Sequence, residues 1–260
     1  MIGLWVVLII LFVAFYQIFS WPKSTAPRVH ETTETSALVA RWAPLGIGAL
    51  VVAILVGIVL FSRNKPSPLV VGVRLLDQAR YVQALEEFER YRKSEPNQPV
   101  GPFNCGITRL HLWKLEAALR DFEAAQKILW QQIPPLNERL PEFLALTHAL
   151  LGRSGEARKF LGEVPQDKAD PGRGDLVVAI LHAREGKWAA AREKLGTIEV
   201  KQISGTLGAL ARTVDAFCIE QLTQERRHID RVALFGEAAP DELQNHWPEL
   251  VAFVQRAPPW

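Results

Sequence analysis

The chain has 260 residues, which is enough for one or two domains. It carries 30 Lys and Arg against 28 Asp and Glu, and this near balance excludes the basic excess typical of nucleic-acid-binding proteins. Two cysteines, 113 positions apart, exclude a disulfide-built scaffold and a zinc site with four cysteine ligands.

Two apolar segments, at about residues 2–20 and 43–61, are predicted to be transmembrane helices. Neither contains a charged side chain, and each approaches the ~20 apolar residues needed to cross a bilayer. Trp21 and Trp42 flank the loop between them, where tryptophan is common at membrane interfaces. The first segment lacks a basic start and a small-x-small cleavage site, so we expect it to be retained. Residues 1–62 are therefore predicted to form a transmembrane hairpin.

Small residues recur every four positions in the second segment, at Ala49, Ala53 and Gly57. This spacing predicts a face on which the first segment packs closely. The short loop places both termini on one side of the membrane, but the flanking basic residues do not decide which side. We expect an integral protein of a bacterial cytoplasmic membrane, with a cytosolic or a periplasmic soluble domain.

A polar, Pro-containing linker at residues 63–70 is followed by apolar residues at helical spacing, with a period of 34 residues. Between the second and third units the spacing is 39, which a five-residue insertion near residues 131–135 explains. The matched residues are Gly72 with Gly106, Ala84 with Ala118, Phe88 with Phe122, Gly152 with Gly186, Ala157 with Ala191 and Leu161 with Leu195.

This pattern resembles the tetratricopeptide repeat (TPR) family, whose 34-residue unit is a pair of antiparallel helices. The resemblance covers about residues 64–200 and implies an all-α chain: two transmembrane helices followed by a TPR-like α-solenoid of helical hairpins. Four degenerate repeats occupy residues 71–200, and residues 201–260 are expected to form C-terminal capping helices. The repeats depart from the family pattern, since Pro68, Pro102, Pro141 and Asp175 replace its opening aromatic residue.

The resemblance also implies protein binding, because in TPR proteins the first helix of each hairpin lines a concave groove. The groove-lining positions of the TPR family correspond in this sequence to mostly apolar residues, and such a groove suits a helical or apolar segment of a partner protein. The groove residues are Val73, Leu76, Phe103, Ile107, Leu110, His111, Leu146, Leu150, Ile180 and Arg184. We therefore expect a membrane-anchored scaffold or adaptor. A groove filled by the chain's own C-terminal cap is an alternative that the sequence leaves open.

Two other roles remain open. The layout of two spans followed by repeats resembles the TPR-containing assembly proteins of cytochrome c maturation, which implies a periplasmic assembly factor or chaperone. The loop between the spans is shorter here than in that family. The other alternative is a structural subunit of a larger membrane complex.

Candidate residues for catalysis or metal binding are few. His148 and His182 share a repeat position, but neither has Cys, Asp or Glu at ligand spacing, so a packing role is expected. Cys105 and Cys218 are expected to be buried apolar residues. Motifs of metalloproteases, phosphate loops, serine hydrolases and dinucleotide-binding folds are missing from the sequence. We expect no enzyme activity, cofactor, metal, nucleic acid or small-molecule substrate, and the expected partners are proteins and the lipid bilayer.

Overall fold

The computed structural model describes Val52 and residues 66–129, 134–165, 170–198, 205–225, 227–236 and 241–257. The chain divides into two units, residues 1–65 and 66–260, and all the described residues except Val52 belong to the second. The predicted membrane segments, Val52 apart, lie outside the described residues, and so do Ala49, Ala53 and Gly57. Among the helices that are described, none combines the length and the apolar character needed to span a bilayer.

The described part of the chain is all-helical, as the sequence predicts. Helices α1 to α8 form four consecutive hairpins, and α9 to α12 follow them. The helices are α1 (Pro68–Asp77), α2 (Tyr81–Ser94), α3 (Val100–His111), α4 (Leu115–Leu129), α5 (Pro134–Leu150), α6 (Ser154–Gly162), α7 (Pro171–Arg184), α8 (Trp188–Gly196), α9 (Gly205–Thr223), α10 (Arg231–Phe235), α11 (Asp241–His246) and α12 (Pro248–Arg256).

Helix α1 begins inside the predicted linker of residues 63–70. The Ser67 side chain accepts a hydrogen bond from the backbone N–H of Leu69 at 3.3 Å and so caps the helix. Pro68 suits the first helical position, because its missing N–H would have no partner there. The described part of the linker therefore ends at Ser67.

The four hairpins turn in the same way. Their turn residues, Ala79, Trp113, Gly152 and Gly186, all have positive φ, between 57° and 77°. The next residue in each turn donates its N–H to the carbonyl five residues back at 2.9 Å, which is the hydrogen bond of a Schellman helix ending. The turns are separated by 34, 39 and 34 residues, so the structure reproduces the period and the insertion seen in the sequence.

Two glycines let paired helices approach closely. A Cβ added at Gly72 would lie 2.6 Å from Phe88 Cε1, and one at Gly106 would lie 2.6 Å from Phe122 Cε1. Both phenylalanine rings are fully buried. The first and second hairpins therefore share one packing contact, repeated 34 residues apart.

The C-terminal helices belong to the main core and do more than cover its end. Helix α9 packs against α7, α8, α10 and α12, and α11 packs against α4. Side chains from α9 to α12, such as Phe217 and Phe253, join one hydrophobic cluster with the second, third and fourth hairpins. The first hairpin has a smaller cluster around Phe88.

Candidate interaction surface

The residues predicted to line a partner groove are mostly buried. Phe103, Leu110, Leu146, Leu150 and Ile180 are at most 5% exposed and belong to the main core. Ile107 is partly buried against the same core, Leu76 is partly buried in the first hairpin, and Val73 is exposed. The structure therefore does not present this set as an open apolar groove.

Arg184, a polar member of the predicted groove, makes interior contacts. Its Nη2 donates to Leu150 O at 2.6 Å, and its Nη1 donates to His246 O at 3.0 Å. The guanidinium carbon lies 4.5 Å from the centroid of the Trp247 ring. Burial lowers the pKa of Arg184 to about 10, so the side chain is still charged at neutral pH. It links the third and fourth hairpins to the C-terminal helices.

His111, the other polar member, stacks on Tyr81. The two ring centroids lie 4.7 Å apart, with an angle of 4° between the ring planes. Burial lowers the pKa of His111 to about 4, and the positive charge of Arg173 acts in the same direction. His111 is therefore neutral at physiological pH.

The C-terminal segment also contacts the hairpins through hydrogen bonds that span most of the domain. Of the predicted groove residues, Arg184 takes part in these bonds, and its helix α7 packs against α9, so the C-terminal helices cover this end of the predicted groove. The bonds run from Thr206 Oγ1 to Tyr81 Oη (3.3 Å), Trp113 Nε1 to Leu234 O (2.8 Å), Glu116 N to Glu242 Oε2 (2.8 Å) and Arg184 Nη1 to His246 O (3.0 Å).

A charge cluster centred on a buried aspartate joins the first two hairpins. Asp121 is only 4% exposed and pairs with Arg109 and with Arg92, the latter at 3.0 Å. Arg109 also contacts Glu89 at 2.7 Å. Burial raises the pKa of Asp121, although the two arginines oppose that shift. No local spacing reveals this cluster, because its members come from three different helices.

A second buried ion pair joins the third and fourth hairpins. Glu142 is 2% exposed, and one of its carboxylate oxygens lies 2.5 Å from Arg173 Nη1. The other oxygen accepts a hydrogen bond from the backbone N–H of Asp170 at 2.6 Å. Arg173 also lies over the ring of Phe143, 4.3 Å from its centroid. This arrangement pairs the two charges and links α7 to α5.

The candidate reactive residues have packing roles. Cys105 and Cys218 are fully buried, and burial raises the pKa of each thiol to about 12, so neither is a thiolate at neutral pH. His148 stacks on Phe160 with ring centroids 5.4 Å apart, and burial lowers its pKa. His182 is partly buried in α7. Within the described ranges, no group of three or more His, Cys, Asp or Glu is placed to hold a metal ion.

Two of the clefts on the described surface lie at the C-terminal helices. One, of about 510 Å³, lies where the turn of the fourth hairpin meets the α11–α12 junction. The aromatic side chains that line this cleft contact one another, because Trp188 and Trp247 both pack edge-on against Phe217. The other, of about 420 Å³, lies between α8 and α9 and carries three arginines.

The sequence matches no family model and no curated protein. The function is therefore argued from the repeats, the core and the surface.

Proposed function

We propose that the protein is a membrane-anchored, TPR-like scaffold that binds a partner protein and performs no catalysis. The observation that carries the proposal is the repetition of one hairpin geometry. The four turns share their positive φ and their hydrogen bond, and the first two hairpins share the same Gly–Phe contact. Stacked units of this kind form elongated surfaces whose usual role is protein binding.

The anchor is the hairpin of residues 1–62. Its support is the sequence, in which two uncharged apolar segments are joined by a short polar loop. Ala49, Ala53 and Gly57 supply the face for close packing between the two helices. In this arrangement the repeat domain is held beside a bilayer.

The partner binds a surface that the C-terminal helices leave uncovered. Phe103, Leu110 and Ile180 are buried in the main core, so binding at them would require helices of that core to move apart. Exposure of apolar surface costs about 25 cal/mol per Å², so displacing several helices is expensive. An outward-facing site avoids that cost.

Membrane extraction tests the anchor. The full chain should stay with membranes after a high-salt or alkaline wash. The matched variant carries Ile10→Arg and Ile54→Arg, and each change places a charge near the middle of a predicted span at a cost of about 2.5–3.5 kcal/mol. This variant should lose its membrane association. Recovery of the unmodified chain in the wash would contradict the anchor.

Crosslinking in the native host tests the scaffold role. After treatment with a membrane-permeant crosslinker, purification of the chain should yield a defined partner protein in a reproducible ratio. Recovery of the chain alone, from membranes that retain it, would contradict the scaffold while leaving the anchor intact.

A further inference from the structure

The cleft between α8 and α9 has an apolar floor. Leu195 and Ala216 belong to the main core, and Ile198 and Ala211 pack against it. The floor is open near α8, because a Cβ added at Gly196 would meet no atom within 4 Å. The cleft can therefore accept an apolar side chain from outside.

The rim of the same cleft is basic. It carries Arg192, Arg212 and Arg227, with Asp215 as the lining carboxylate. Arg192 Nε donates to Asp215 Oδ1 at 3.0 Å, so this carboxylate is already paired. Among the described residues of the rim, three arginines against one aspartate leave a net charge of two positive units.

Arg212 and Arg227 are the groups left for a ligand. Both are exposed, and neither forms a hydrogen bond or an ion pair with another described residue. A guanidinium group offers a planar fork of donors that matches a carboxylate with two parallel hydrogen bonds. Together with the floor, they define a complementary ligand that carries at least two negative groups and an apolar group.

We propose that the α8–α9 cleft binds a short acidic peptide segment of a partner protein. Its carboxylates pair with Arg212 and Arg227, and an apolar side chain rests on the floor between Ile198 and Ala211. This inference rests on the proposed scaffold function and supplies the chemistry of the partner. Three arginines are too few for a nucleic acid, whose binding depends on many phosphate contacts. The concave shape between two helices suits a peptide better than the flat surface of a bilayer.

A peptide-binding measurement on the full chain in neutral-lipid nanodiscs tests the proposal. The probe is a fluorescein-labelled peptide of eight alternating Glu and Leu residues, and its counterpart has Lys in place of Glu. Anisotropy should show binding of the acidic peptide only, and binding should weaken as salt is added. Equal binding of the two peptides, or no binding of the acidic one, would overturn the proposal.

Matched variants locate the site. Arg212→Glu with Arg227→Glu should weaken binding by at least about tenfold. The control is Arg120→Glu with Lys127→Glu, which makes the same charge change at two exposed positions of α4. It should bind as the unmodified chain does. Gly196→Leu should also weaken binding, because it fills the floor without changing the charge. Equal losses in the control and the cleft variant would show non-specific attraction and refute the site.

Two further outcomes separate this inference from its alternatives. Binding of vesicles that contain phosphatidylglycerol through Arg212 and Arg227, without peptide binding, would assign the cleft to a lipid surface and overturn the proposal. A native partner that crosslinks equally to the unmodified chain and to the double variant would leave the scaffold function standing and refute the cleft as its site.

Discussion

Replacement of Gly106 by alanine tests how the second hairpin is packed. The new Cβ would lie 2.6 Å from Phe122 Cε1 and 2.7 Å from Cδ1, whereas carbon atoms in contact are about 3.5–4.0 Å apart. The ring would have to move by about 1 Å. It has little room to do so, because Phe122 is fully buried and packs against Phe103 and Phe143.

Two opposing effects determine how much Gly106→Ala changes the free energy of unfolding. Overpacking of a tight core costs about 1–3 kcal/mol, while alanine is favoured over glycine inside a helix by about 1 kcal/mol. The new Cβ would lie less than 3 Å from a fully buried ring, so the overpacking cost falls in the upper part of its range, and we expect Gly106→Ala to lower the free energy of unfolding by about 1–2 kcal/mol. For a domain of this size, that loss lowers the melting temperature by about 3–6 °C.

The assay is thermal and urea unfolding of the full chain in mild detergent, followed by far-UV circular dichroism. Gly155→Ala is the matched control, because a Cβ there would meet no atom within 4 Å. It should raise stability by up to about 1 kcal/mol through helix propensity alone. Gly72→Ala should be milder than Gly106→Ala, because the leucines around Phe88 are only partly buried. If Gly106→Ala proves as stable as Gly155→Ala, the Gly–Phe contact does not set the hairpin packing.

Three other predictions concern the turns, the C-terminal cover and pH. Ala79→Gly should stabilise the first turn and Gly186→Ala should destabilise the fourth, each by about 1 kcal/mol in urea unfolding, because both positions have positive φ. Trp113→Phe removes the hydrogen bond to Leu234 O and should lower the free energy of unfolding by about 1–2 kcal/mol. In limited proteolysis the C-terminal segment of this variant should be cleaved faster. Stability should fall as pH drops from 6.5 to about 4, because the unfolded chain then binds a proton at His111 that the folded chain does not. In acid unfolding, His111→Phe should reduce that loss.

The repeat architecture was largely predictable from the sequence. Matched glycines and alanines at 34-residue spacing indicated the hairpins, and the structure places their turns at the same spacing. The hairpins and their spacing can be predicted because helix lengths and turn geometry are local properties of the sequence. Ala79 and Trp113 are exceptions, since neither residue type signals the left-handed turn that both adopt.

The surface was less predictable. Asp121 follows Arg120 and precedes Phe122 and Glu123 in α4, and charged residues in such a stretch are typical of an exposed helix face. The structure buries Asp121 beside Arg109 and Arg92, which lie 12 and 29 residues away in the chain. Residue spacing on one helix cannot reveal a partner that another helix supplies.

The sequence by itself therefore determined the all-helical class, the repeat period and the insertion, because each follows from local periodicity. Only the tertiary structure decided what covers the apolar side chains of α3, α5 and α7. The pattern of these helices is the same whether they face a partner protein or another part of the chain. The chain supplies the cover itself, because neighbouring hairpins and α9 bring their own apolar side chains into one core: Phe103 of α3 packs against Phe122 and Phe143, and α7 packs against α9.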